Sequence, residues 1–344
     1  MNESIIISES VKVYFSSHAS LAGIGRKVRK LKMFEPIEQK VKIAQKTVKY
    51  SPAEKLLDAF ITLLAGAQGL VEINKRLKAD PGLQRAFGRT GCAEQSVVQD
   101  TLDACTSENV EQMQAAMQVI LQRHSQSYQH DYQLNWQVLD ADMTGRPCGK
   151  KANFASKGYF AKQRNRRGRQ EGYVIGTWYE EIIVEQLFAG TTQLNKALPG
   201  LIEATEQVLG LDERKRGRTI LRIDSGGGSV EDINWLLGRG YQVHAKDYSG
   251  VRAKALAESV SEWIIDPNDS RRQIGWVTVE PELYGRPVQR IAVRCRKKNG
   301  QWGYGVILST LAPQDVLLLT CGYKQDAEDP KAVLLAYVNF YDQR

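Results

Sequence analysis

Cysteine and histidine are scarce in this sequence, which has only five cysteines and four histidines among 344 residues. The cysteines are scattered, and no two of them form a C-x-x-C pair. An odd, dispersed set of cysteines argues against both a disulfide framework and a thiolate zinc site, and it favours a reducing, cytoplasmic compartment. The histidines show no ligand spacing, so a histidine-based metal site is not expected.

Long apolar runs and a leader sequence are also missing. No apolar run reaches the roughly 18 residues of a membrane-spanning helix. The start, "MNESIIISESVKVYF", has no basic region followed by an apolar one, as a secretory signal would. Hydrophobic residues make up 42% of the chain, which suits a soluble protein with a sizeable core in one or two domains. We therefore expect a cytoplasmic protein without a membrane partner.

Acidic residues are absent from one stretch, 143–170, although the chain as a whole has a net charge of only +8. Ordinary protein surfaces mix charges of both signs, and this stretch does not. Its composition favours a polyanionic partner such as nucleic acid, with a solvated loop as the alternative. The candidate phosphate-binding residues are Lys150, Lys151, Lys157, Lys162, Arg164, Arg166, Arg167 and Arg169.

The pattern of the chain changes near residue 131. Residues 1–130 have helical periodicity, and Ser51 with Glu54 forms the sequence signature of a capping box before one helix. Short runs rich in Val, Ile and aromatic residues then alternate with helical segments, which predicts an α/β domain with a mixed sheet over 131–344. Within it, about 270–312 reads as an antiparallel β insertion, and a final helix begins near Pro330.

Aspartates follow or interrupt two of the predicted buried strands. Asp140 and Asp142 lie in "NWQVLDADMTG", and Asp224 lies in "LRIDSGGGS". Buried carboxylates on neighbouring strands repel each other, and a divalent cation with oxygen ligands removes that repulsion. A metal site formed by Asp224 and a partner on the earlier strand is therefore predicted. The sequence leaves open whether Asp140 or Asp142 is that partner.

The glycines after Asp224 do not match a nucleotide-binding loop, because neither G-x-G-x-x-G nor G-x4-G-K-[ST] is present. We expect Gly226–Gly228 to let the backbone pass close to a metal-bound phosphate. Ser229 is the predicted N-cap of the next helix.

These motifs, in this order, resemble the DDE-type cut-and-paste transposases of bacterial insertion sequences. Asp142-Met143-Thr144 matches the setting of that family's first catalytic Asp, and Asp224-Ser225-Gly226 matches the second. The resemblance spans nearly the whole chain, including the helical part and the β insertion. It implies an RNase H-like catalytic domain that uses Mg²⁺, or Mn²⁺, to cleave and transfer strands at the ends of the element. The implied partners are double-stranded DNA, both terminal repeats and target, and a second copy of the chain in a synaptic homodimer.

The family's third catalytic residue is a Glu in a Tyr-x2-Arg-x3-Glu pattern. Tyr341 and Arg344 match its first half, which implies DNA-contacting roles for them, and the Glu would follow four residues after Arg344. We therefore expect a transposase fragment that lacks the third carboxylate. The resemblance assigns residues 1–130 to DNA-end binding or dimerisation. Two alternatives are an inactive DNA-binding remnant and an RNase H-like nuclease unrelated to transposition.

Overall fold

The computed structural model describes residues 13–46, 49–158, 160, 163, 166–279, 283–321 and 327–344. The chain divides into two compact units, Met1–His124 and Ser125–Arg344. Within the described ranges, no helix is both long enough and apolar enough to cross a bilayer.

The first unit is built from helices. Ser51 begins one of them with the predicted capping box: its hydroxyl accepts a hydrogen bond from the Glu54 amide, and the Glu54 carboxylate accepts one from the Ser51 amide. Apolar side chains such as Ile61, Leu77 and Leu83 form its core. The helices are α1 (Ala19–Lys30), α2 (Glu35–Lys40), α3 (Pro52–Leu64), α4 (Ile73–Arg76), α5 (Pro81–Ala86), α6 (Gln95–Asp103) and α7 (Ser107–His124).

The second unit combines a large sheet with helices. Its strands are β1 (Gln137–Pro147), β2 (Ser156–Lys157), β3 (Arg167–Gly176), β4 (Glu181–Ala189), β5 (Thr219–Ile223), β6 (Gln242–Lys246), β7 (Ile264–Asp266), β8 (Asp269–Trp276), β9 (Gln289–Arg296) and β10 (Trp302–Ser309). Its helices are α8 (Leu194–Leu209), α9 (Glu213–Gly217), α10 (Val230–Gly238), α11 (Gly250–Ala257), α12 (Pro313–Cys321) and α13 (Pro330–Asp342).

The sheet is mixed, as the sequence predicts. Its strand order is β2-β3-β1-β5-β6-β10-β9-β8-β7, and β4 pairs with β3. β5 runs parallel to both β1 and β6, while β3 is antiparallel to β1 and to β4. The predicted α/β class, with a mixed sheet preceded by helices, is confirmed, and this arrangement is consistent with an RNase H-like fold.

The antiparallel strands expected near 270–312 are present as β8, β9 and β10. They do not form a separate sheet, because β10 pairs with β6 and so extends the central sheet. The predicted final helix is α13, whose apolar side Val333, Tyr337 and Phe340 packs on a core that includes Val138 and Ile220. This packing brings the C-terminal end of α13 to the middle of the sheet.

Candidate active site

Asp142 lies on β1, and Asp224 directly follows the neighbouring parallel strand β5. Ala141 of β1 is paired with Ile223, the last residue of β5, so each aspartate is the residue after this pair. Neighbouring strands are about 4.8 Å apart. Both side chains line one cleft of about 750 Å³, together with Thr144, the 191–194 turn and Tyr248. The structure therefore brings these two predicted site residues together.

Each of the two carboxylates is held by one hydrogen bond from the main chain. Oδ1 of Asp142 accepts from the Met143 amide at 2.7 Å, and Oδ1 of Asp224 accepts from the Gly226 amide at 2.7 Å. Within the described residues, the second oxygen of each carboxylate accepts no hydrogen bond, and no Lys or Arg nitrogen lies within 4.0 Å. One oxygen on each aspartate is thus available to a ligand.

The electrostatic environment of Asp142 disfavours its charged form. Burial is the main cause that raises the pKa of this carboxyl above its usual value, and the nearby Asp224 and Asp140 carboxylates raise it further. The Met143 amide and the Arg344 guanidinium act in the opposite direction. A bound cation would relieve the repulsion between these carboxylates.

Asp140 has a different partner. Its two carboxylate oxygens accept hydrogen bonds from Nε and Nη2 of Arg222, both at 2.7 Å, and Oδ2 also accepts from Thr177 at 2.8 Å. Arg222 is only 1% exposed, so this is a buried ion pair. Of the two aspartates that the sequence leaves open, Asp142 is the one with a free oxygen in the cleft.

Arg222 also holds the C-terminal end of α13. Its Nη1 donates to the Phe340 carbonyl at 2.7 Å, and its Nη2 lies 3.4 Å from the Gln343 carbonyl. Tyr341, in the same turn, is half-buried, and burial raises the pKa of its hydroxyl with smaller contributions from Asp224 and Asp142. The Arg344 guanidinium lies 5.6 Å from the centre of the Tyr341 ring. Tyr341, in the last turn of α13, and Arg344, two residues after its end, are therefore electrostatic neighbours of the carboxylate pair.

The predicted basic segment, 143–170, borders the cleft only through five uncharged residues, which are Met143, Thr144, Gly145, Gly158 and Gln170. None of the predicted cations that the structure describes lines the cleft itself. Arg169 is half-buried, and its Nε donates to the Asn153 carbonyl at 2.6 Å. Lys162 and Arg164 lie outside the described residues. The exposed members are Lys150, Lys151, Lys157, Arg166 and Arg167.

The glycines after Asp224 have a structural reason that the sequence interpretation missed. A Cβ on Gly228 would lie 2.0 Å from the Lys246 carbonyl oxygen, and one on Gly227 would lie 2.7 Å from the Ile223 side chain. Close packing of this loop on β5 and β6 thus accounts for Gly227 and Gly228. Ser229 is the N-cap of α10, as predicted, and accepts from the Asp232 amide at 3.1 Å.

A second cleft, lined by Lys246, Lys254 and the 296–298 run, was missed in the sequence interpretation. The signal for it in the sequence is the stretch "RCRKKNGQW", which is as rich in cations as the 143–170 segment.

In the described part of the chain, no group of three or more His, Cys, Asp or Glu side chains is placed to hold a metal ion. The carboxylate pair therefore has no third member there.

Comparisons with known proteins give distant structural similarity only. No protein-family model and no curated protein matches the chain. A cryo-EM structure of the piggyBac transposase synaptic complex with hairpin DNA is similar over 92% of this chain and 65% of its own, with 12% identity and a TM-score of 0.48. A pre-cleavage Mos1 transpososome covers 59% of this chain and 60% of its own, with 12% identity and a TM-score of 0.23. A Mos1 paired-end complex with the left transposon end covers 64% and 62%, with 12% identity and a TM-score of 0.17. The chain thus spans less than two thirds of each of these transposase chains.

Proposed function

We propose that this chain belongs to a DNA-cutting and DNA-joining enzyme of the DDE transposase type, encoded by a bacterial insertion sequence. Asp142 and Asp224 are its metal ligands, and its substrates are the duplex ends of the element and the target DNA. One observation carries the proposal. On adjacent strands, the Asp140–Arg222 pair is neutral as a unit, while the next pair, Asp142 and Asp224, is anionic and faces an open cleft.

The residues present fit a hard divalent cation such as Mg²⁺ or Mn²⁺. Carboxylate oxygens are the ligands these ions prefer, and Asp142 and Asp224 each have one free oxygen in the same cleft. Mg²⁺ is commonly bound through one or two carboxylates, with waters and substrate phosphates as its other ligands. Two carboxylates are therefore enough to bind one ion, while the resemblance implies a third for full activity.

When bound, divalent ions activate the attacking oxygen and stabilise the leaving oxygen of an in-line phosphodiester displacement. The chain's own residues would position the DNA. Tyr341 and Arg344, beside the carboxylate pair, contact a phosphate near the cleavage point. The exposed cations of the 143–170 segment bind the flanking backbone, which makes the affinity depend on salt. Two copies of the chain hold the two ends of the element.

A DNA-binding remnant without nuclease activity is the second candidate. The observation that favours it is the absence, among the described residues, of a third acidic side chain beside Asp142 and Asp224. Such a protein would occupy duplex ends without cutting them. The two candidates differ in a single measurable property, which is cleavage that depends on a divalent ion.

The test is a nicking assay on a supercoiled plasmid that carries the element's ends, with Mg²⁺ or Mn²⁺ and without either. We expect slow cation-dependent nicking, because the described residues hold only two of the three carboxylates that the resemblance implies. It should fall further, by at least about a hundredfold, in Asp142→Asn and in Asp224→Asn, since charge stabilisation by the ion is worth several kcal/mol. Asp131→Asn, an exposed aspartate of the same unit, is the matched control and keeps its activity. Normal DNA binding without any cation-dependent nicking would favour the remnant and overturn the enzyme.

A further inference from the structure

A second cleft, of about 760 Å³, lies where β6, α11, the β9–β10 hairpin and the end of α13 meet. Five of its lining side chains are cations with no carboxylate within 4.0 Å among the described residues. We call this cleft the basic groove, and these cations are Lys246, Lys254, Arg296, Lys297 and Lys298.

The basic groove contains little negative charge to balance these cations. Asp342 is the one acidic residue among its described lining residues, and Arg272, which also lines the groove, is already paired with it. Arg272 forms a second ion pair with Asp266. Five like charges around one concave surface repel each other and raise the local concentration of anions. The charge of the basic groove therefore favours a ligand with several negative charges.

Contacts of Arg294 with two indoles and a glutamine stabilise the β9–β10 hairpin that carries these cations. The Arg294 guanidinium lies between two indoles, 4.1 Å from the Trp263 ring centre and 4.6 Å from that of Trp302, and its Nε donates to Gln273 at 2.8 Å. The Arg296 guanidinium lies 5.6 Å from the same Trp302 ring. Because guanidinium groups already contact Trp302, its ring supports cations and is not free to stack on a base. The exposed cations of this surface are suited to phosphates, which carry no sequence information.

The groove adjoins the cleft of the two aspartates. Lys246, the last residue of β6, lines the groove, and Tyr248, two residues later, lines the aspartate cleft. Tyr341 lines the groove and is also an electrostatic neighbour of Asp142 and Asp224. A polyanion that crosses the aspartate pair can continue directly into the groove.

We propose that the basic groove binds the sugar-phosphate backbone of duplex DNA, on a path that continues from the Asp142–Asp224 cleft. The path past the aspartates rests on the proposed function, whereas the binding of DNA in the groove does not. The groove contacts phosphates without reading the base sequence. It thus supplies a DNA-binding surface in addition to the 143–170 segment.

The test measures binding of the full chain to a fluorescein-labelled 30-base-pair duplex by anisotropy, over a range of NaCl concentrations. The groove variant neutralises three exposed cations of the hairpin, through Arg296→Gln, Lys297→Gln and Lys298→Gln. The control variant neutralises three exposed cations of the same unit outside both clefts, through Arg214→Gln, Arg271→Gln and Lys331→Gln. Both variants lose the same net charge, so a difference between them reports location.

Each lost phosphate contact lowers the slope of log K against log salt by about 0.9. We expect the groove variant to lower the slope by about two to three, equally for two duplexes of unrelated sequence, while the control variant changes it by less than one. An unchanged slope in the groove variant, an equal fall in the control, or tighter binding of an RNA hairpin than of the DNA duplex would overturn the proposal.

The nicking assay separates this proposal from the proposed function. If Asp142→Asn abolishes nicking while the groove variant binds DNA like the wild type, the groove proposal alone fails. If the groove variant loses affinity while no cation-dependent nicking is found, the enzymatic proposal alone fails. A wild-type chain that does not bind duplex DNA overturns both.

Discussion

Removing the Arg222 side chain is the substitution with the largest expected effect on the second unit. Arg222→Met leaves Asp140 buried without a cationic partner, since the pair is 1% and 8% exposed. It also removes both guanidinium contacts to the carbonyls of Phe340 and Gln343, which belong to the unsatisfied C-terminal end of α13. Breaking a buried pair by removing one partner costs about 3–5 kcal/mol. That is a large fraction of the 5–15 kcal/mol by which domains are stable.

Urea unfolding followed by tryptophan fluorescence measures this loss selectively. All six tryptophans lie within Ser125–Arg344, so the signal reports on the second unit and not on the helical one. With an m-value of about 3 kcal/mol per molar urea, a loss of 3–5 kcal/mol lowers the midpoint by more than about 1 M. The end of α13 also loses its anchor, so hydrogen exchange at 339–344 should become faster.

Two further variants determine whether burial of the charge is the cause. Arg271→Met breaks the exposed ion pair between Arg271 and Asp269. Because the Arg271 side chain is 73% exposed and the pair is screened by solvent, the urea midpoint should stay close to that of the wild type. The double variant Asp140→Leu/Arg222→Met removes both charges and should recover much of the loss, because an apolar pair leaves no buried charge. A midpoint for Arg222→Met within 0.3 M of that for Arg271→Met would refute the reasoning.

Two other predictions concern single side chains. His244 is buried next to Arg222, and burial lowers its pKa to about 3. Because an unfolded histidine titrates near 6.5, the unfolded chain binds the proton first on acidification. The free energy of unfolding should therefore fall by roughly 2 kcal/mol between pH 6.5 and pH 5. The urea midpoint of His244→Leu should lack this part of the pH dependence. Ser51→Ala removes the capping box of α3 and should cost the first unit about 1 kcal/mol in a thermal melt followed by circular dichroism, whereas no change would show that the cap is dispensable.

The parts of this molecule that the sequence could predict are those with a local signal. Short apolar runs mark the strands before Asp142 and Asp224, and the capping signature at Ser51 marks the start of α3. The two aspartates could be selected because a carboxylate that interrupts or ends a buried strand is costly unless it is paired. Their meeting in one cleft follows from the parallel pairing of β1 with β5.

The parts that the sequence could not predict depend on contacts between distant residues. Asp140 and Arg222 are 82 positions apart, and nothing local indicates that this arginine, among 47 Lys and Arg residues, faces that carboxylate. The choice between Asp140 and Asp142 therefore needed the strand register. The pairing of β10 with β6, which brings the 296–298 run beside Lys246, depends on register in the same way.

Gly228 provides a final test of how the Asp224 loop is held. Its carbonyl accepts a hydrogen bond from the Tyr248 amide at 3.1 Å, and a Cβ there would lie 2.0 Å from the Lys246 carbonyl oxygen. Main-chain atoms cannot rotate away as a side chain can, so Gly228→Ala must displace the loop, at a cost of about 1–3 kcal/mol. Since the Asp224 carboxylate is held by the Gly226 amide of that loop, binding of Mn²⁺ measured by calorimetry should weaken as well.

Gly238→Ala is the matched control for this substitution. Gly238 is the last residue of α10, and apart from its chain neighbours and the backbone of its own helix, no atom lies within 4 Å of the Cβ that alanine would add. Alanine at this helical position should be neutral or stabilise the protein by up to about 1 kcal/mol, and Mn²⁺ binding should not change. If Gly228→Ala unfolds at the same urea concentration as Gly238→Ala and binds Mn²⁺ as tightly, the loop is not fixed by its contact with β6, and some other contact must hold Asp224 beside Asp142.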